Sequence, residues 1–127
     1  MSPTAKLFLT LGGINAALVV ILGAFEAHAL KARLSVDMLA VYQTGVHYHL
    51  FHALGLVVVG LVAMQISDSA YLRWSGWLML IGIVVFSGSL YMLSVTGLHW
   101  LGVVTPFGGM AFIVAWVLFV VAVVKAA

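Results

Sequence analysis

Four long apolar stretches, almost free of charge, fill this chain and decide which solvent it can fold in. No ionisable side chain occurs from Leu7 to Phe25, and no Asp, Glu, Lys or Arg lies between Asp37 and Asp68 or between Arg73 and Lys125. About 20 apolar residues in helical form cross a bilayer core. Only helices and closed barrels satisfy every backbone polar group there. Barrels are written as short alternating segments, which these runs are not. Charged residues make up 6% of the 127, against about 25% in soluble domains, so no water-facing surface can be assembled. The expected fold is all-α, a polytopic four-transmembrane-helix bundle forming one membrane domain over residues 1–127.

Punctuation residues set the expected helices at about 5–29, 36–66, 70–95 and 106–124. Ser35 and the Ser67-Asp68-Ser69 turn supply capping side chains, Thr96-Gly97 stops the third helix, and Pro106 suits the first turn of the fourth. The second helix would reach ~45 Å at 1.5 Å per residue, more than the ~30 Å hydrocarbon core. Its first turns should therefore protrude, or the helix should bend near Gly45. Gly12 with Ala16, Gly13 with Ala17, and Ala111 with Ala115 have the small-xxx-small spacing that brings helices close in lipid. Gly88, Gly108 and Gly109 are expected to serve close packing as well. Lys6, the apolar run and Ala27-His28-Ala29 mimic a cleavable leader. The run exceeds the ~7–15-residue core of such leaders, so the first helix is expected to stay.

Charge narrows the partners. Five basic and three acidic groups give +2 overall and are too scattered to grip nucleic acid, so membrane lipids are the expected surroundings. With no cysteine, disulfide and thiolate chemistry are excluded. Four spans return both termini to one side. Lys6, Arg73 and Lys125 lie on that side against Lys31 and Arg33 on the other, which favours cytoplasmic termini in an inner membrane.

All five histidines fall toward the end opposite the termini, accompanied by Glu26, Gln43, Ser87, Ser89, Tyr91 and Thr105. Ionisable groups inside a membrane are functional candidates by default. The candidate ligand-binding set is Glu26, His28, Gln43, His49, His52, Ser87, Tyr91 and Thr105. His49 and His52 lie ~60° apart on a helix and share a face, whereas His47 and His49 are ~200° apart. A metal site would need His28, Glu26 or His99 to converge on that pair, and nothing in the spacing enforces it. No metal and no cofactor are expected. Phe86-Ser87-Gly88-Ser89 lacks the G-x-S-x-G elbow of a serine nucleophile, and no catalytic residues are assigned.

Four phrases stand in order, Gly23-Ala24-Phe25-x-Ala27-His28, Gln43-Thr44-Gly45-x-x-Tyr48-x-x-x-His52-Ala53-Leu54, Phe86-Ser87-Gly88-Ser89-Leu90-Tyr91 and Thr105-Pro106-x-Gly108-Gly109. Together they resemble the YgdD-like family of small inner-membrane proteins, which has small transmembrane relatives in eukaryotes. The resemblance runs from about Leu7 to Val124. It implies four transmembrane helices in a bacterial inner membrane and no known activity. Glu26 stands where that pattern usually has glycine, and His49 where glutamine is common. The expected role is a structural or accessory membrane component that forms a homo-oligomer or joins a larger complex. The alternative is a protein that handles a ligand, metal or proton through its histidine-rich end.

Overall fold

A computed structural model describes all 127 residues. Its four helices are each long and apolar enough to cross a membrane, α1 Pro3–Leu30, α2 Val36–Ala63, α3 Ala70–Thr96 and α4 Leu101–Lys125. They run up and down in chain order, α1 packed on α2, α2 on α3, and α3 on α4. Short connections enforce that antiparallel order. Both termini and the α2–α3 turn share one end, where the Lys125 ammonium sits 5.9 Å from the Tyr71 ring centre.

Local chemistry explains most boundaries. Ser2, Ser35 and Ser69 each cap a helix by accepting a backbone N–H three residues ahead, from Ala5, Met38 and Leu72. Pro3 then occupies the first turn of α1, where its missing N–H is no loss, so this helix begins before the expected position 5. Gly97 ends α3 in the left-handed conformation, φ 73°, which glycine adopts at no steric cost. α2 stops at Ala63, short of the expected 66, and closes in a turn over Met64 to Ile66.

α4 starts at Leu101, well before the expected 106. Its entry is built from tight three-residue bonds, Leu101 to Leu98, Gly102 to His99 and Val103 to Trp100. The helix is thus under way before Pro106, whose ring removes only the bond to the Gly102 carbonyl. Two further departures interrupt the helical ladder. Glu26–Leu30 at the end of α1 and Ile83–Ser87 in the middle of α3 are π-helical, wide turns that are rare and recur at functional sites.

The bundle is apolar outside and partly polar within. Thirty-one residues are buried, and eight of them (Asn15, His49, His52, Ser75, Ser87, Ser89, Ser94 and Thr105) carry polar side chains. Val20, Val84, Val103 and Phe107 are among the large apolar side chains that face outward, each more than 60% exposed. That inversion suits lipid. The apolar core joins Phe8, Leu56, Val59, Leu72, Met79, Ile83, Phe112, Ala115 and Ala122.

Glycines let the backbones meet. A Cβ on Gly12 would stand 2.6 Å from Val57 Cγ2, one on Gly76 2.4 Å from the Phe8 ring, and one on Gly108 2.3 Å from the Phe86 backbone nitrogen. Gly12 and Gly108 were expected at such contacts. Gly60, against Leu9, and Gly76 were not singled out. Gly13 and Gly88 have nothing within 4 Å of a Cβ position, and Gly109 meets only the Phe86 ring edge at 3.8 Å. Of the small pairs, Gly12 is buried with Ala16 half-buried, Gly13 and Ala17 face outward, and Ala115 is buried beside half-buried Ala111.

Candidate functional site

The inner face of α2 holds polar contacts to each of the other three helices. Near its start, the Tyr42 hydroxyl donates to the Leu22 carbonyl of α1 at 2.7 Å. One turn on, Gly45 is buried and its carbonyl accepts from the Ser87 hydroxyl of α3 at 2.8 Å. Ser87 closes the π-helical turn of α3, so this wide turn and the bare glycine meet at one contact.

His49 follows and bridges two helices. Its Nε2 lies 2.9 Å from Asn15 Oδ1 of α1 and its Nδ1 lies 2.9 Å from the Tyr91 hydroxyl of α3. Asn15 spends its amide N–H on the Leu11 carbonyl at 2.9 Å, which fixes which end of the amide faces the imidazole. An amide oxygen only accepts. Hence His49 donates from Nε2, and in the neutral ring its Nδ1 accepts the Tyr91 O–H.

His52 carries the opposite tautomer. Its Nδ1 sits 2.8 Å from the Tyr48 carbonyl, which can only accept, and its Nε2 accepts from the Trp116 indole N–H of α4 at 3.0 Å. The ring also stacks on Phe112, with centroids 3.5 Å apart and planes within 8°. Both imidazoles are buried, and each is hydrogen-bonded at both ring nitrogens. They share a helix face as their spacing predicts, yet they reach different neighbours.

The pair lies deeper than expected. His49 and His52 come thirteen and sixteen residues after Val36, about 20 and 24 Å along a helix of ~42 Å. The polar cluster therefore extends from the loop end into the middle of the bundle. Its other members tie α3 to α4. Ser89 and Thr105 share a hydrogen bond at 2.6 Å; nearer the termini, outside this cluster, the Ser75 hydroxyl donates to the Ala115 carbonyl at 2.7 Å.

Ser87, Tyr91, His49, His52 and Thr105 of the candidate set are thus drawn inward, in pairs rather than around one pocket. His28 and Gln43 are exposed, and Glu26 is half-buried with Oε1 lacking a protein partner. No three His, Asp or Glu side chains converge anywhere in the chain. Asn15 and Trp116 were missed. A mid-span asparagine is a readable signal, since an amide in hydrocarbon needs a partner, whereas a tryptophan there reads as packing.

A groove opens between α2 and α4, whose backbones stay apart. It has a volume of about 530 Å³, with His47, Tyr48, Phe51, His52, Phe112 and Trp116 among its lining residues.

Residues 22–109 match a family described as a protein of unknown function, DUF423. Over 120 residues the chain is 53% identical to the UPF0382 membrane protein YwdK of Bacillus subtilis, covering 94% of this chain and 98% of that one. A UPF0382 membrane protein of Staphylococcus epidermidis is 43% identical over 94% and 97% of the two chains. One from Staphylococcus aureus is 40% identical over the same shares. No solved structure matches the chain.

Proposed function

The chain belongs to the DUF423 family, integral membrane proteins of unknown molecular function, and we propose that it acts as a structural or accessory component that self-associates or joins a larger membrane complex. The four ordered phrases further support reading this family as the one that holds the YgdD-like proteins. The chain is read as a single membrane domain in the bacterial inner membrane, with both termini cytoplasmic and lipids as its surroundings.

One observation carries this reading. Gly13 and Ala17 form a small-xxx-small pair on the outward face of α1, with open space where a Gly13 Cβ would go. Such pairs let helix backbones approach closely in lipid, and the pair Gly12 and Ala16 is used inside the chain itself. The buried imidazoles support a structural role too, because each ring nitrogen is engaged by Asn15, Tyr91, Trp116 or a backbone carbonyl.

The test is assembly. Wild type in mild detergent should run as an oligomer by light scattering or native mass spectrometry, and Gly13→Leu should shift it to monomer with its helical content unchanged. A monomeric wild type that also captures no partner by cross-linking in native membranes contradicts the reading.

A further inference from the structure

The groove between α2 and α4 has the dimensions of a ligand site. Its ~530 Å³ falls within the ~300–1,000 Å³ typical of small-molecule pockets, which are mostly apolar and aromatic with few polar groups. Phe112 lies near the midpoint of α4, a helix of 25 residues and so ~37 Å long. The groove therefore opens sideways at mid-bilayer depth, and whatever enters it must dissolve in lipid.

Two polar groups at the groove have no hydrogen-bond partner in the protein, the His47 imidazole and the Tyr48 hydroxyl. Both residues are exposed and line the groove. Apart from Glu26 Oε1 near the loop end of α1, the polar side chains that turn inward in this half are paired within the bundle, so the helices' own ties leave these two unexplained. An unpaired polar group costs several kcal/mol in hydrocarbon. Each can donate as well as accept, so a molecule carrying acceptor oxygens satisfies both. The walls add a second constraint. The Tyr48, His52 and Phe112 rings lie within 17° of parallel, and offset stacking favours a flat conjugated ring beside them. Phe86, from the π-helical turn, completes the lining beside Gly109.

We propose that this groove binds a lipid-soluble flat carbonyl compound of the quinone type, its ring against Tyr48 and Phe112, its carbonyl oxygens accepting from His47 and the Tyr48 hydroxyl, and its apolar tail in the bilayer. The site is separate from the α1 face invoked for assembly. Gly109 offers a clean handle, because a side chain there meets only the Phe86 ring edge, at 3.8 Å, while filling the groove.

The experiment follows the Trp116 indole N–H resonance in phosphatidylcholine nanodiscs titrated with decylubiquinone or with decanol, amounts being expressed per lipid. The site predicts a shift that saturates near one quinone per protein and is absent with decanol. His47→Leu should weaken binding about tenfold, equivalent to ~1.4 kcal/mol, and Gly109→Leu should abolish it with helical content unchanged. No saturable shift in the wild type overturns the proposal. So does an equal response to decanol, or a quinone response that neither substitution alters.

Discussion

At the end carrying the termini, helices meet by shape. Gly12 admits Val57, Gly60 admits Leu9 and Gly76 admits the Phe8 ring, around an apolar core crossed by the Ser75 bond to the Ala115 carbonyl. In the other half they meet by hydrogen bonds, with His49 between Asn15 and Tyr91, His52 under Trp116, and Ser87 on the Gly45 carbonyl. Lipid removes the hydrophobic drive between helices, so contact rests on close packing or on polar ties. The first half leans on packing, with the Ser75 bond as its tie, while the second adds a chain of hydrogen bonds to close contacts such as Gly108 on Phe86. The packed half tolerates no added volume. The tied half depends on donors and acceptors being correctly matched.

Substitutions should separate the two. The largest effect belongs to Gly12→Val in the packed half, whose new carbon would press on the Val57 backbone nitrogen at 2.8 Å. Overpacking of this kind costs about 3 kcal/mol, read as a lost or much earlier unfolding transition in micelles. His49→Leu should follow, since two interhelical bonds worth ~0.6 to ~1.7 kcal/mol each disappear. His49→Gln, which keeps a donor and an acceptor at its tip, should lose clearly less in the same assay. If leucine and glutamine behave alike, the polar tie does not hold this half together. Trp116→Phe removes only the N–H to His52 and should cost about 0.6 kcal/mol. Gly13→Val, beside Gly12 but facing outward, should change the monomer's stability by less than ~0.5 kcal/mol.

That last pair shows what the sequence could and could not convey. Gly12 and Gly13 are adjacent and both begin a small-xxx-small pair, yet only Gly12 turns inward. In a soluble helix the polar stripe would reveal which side faces out. Here both faces are apolar, so rotation about the helix axis is decided by packing alone. The spans, the Ser35 and Ser69 caps and the Gly97 stop were legible because each is local chemistry. The shared face of His49 and His52 was legible too, from the angle per residue. Their separate partners were not, because Asn15 and Trp116 lie 34 and 64 residues away in sequence. The π-helical turns left no mark in composition, since Ile83–Ser87 reads as ordinary apolar helix.

The donor-acceptor assignment of the two buried imidazoles can be read directly. Solid-state nitrogen NMR of histidine-labelled protein in lipid bilayers distinguishes protonated from bare ring nitrogens at each residue. His49 should carry its proton on Nε2 and His52 on Nδ1, one neutral tautomer of each kind three residues apart. Finding the same tautomer at both positions, or rapid exchange between the two, would contradict the account.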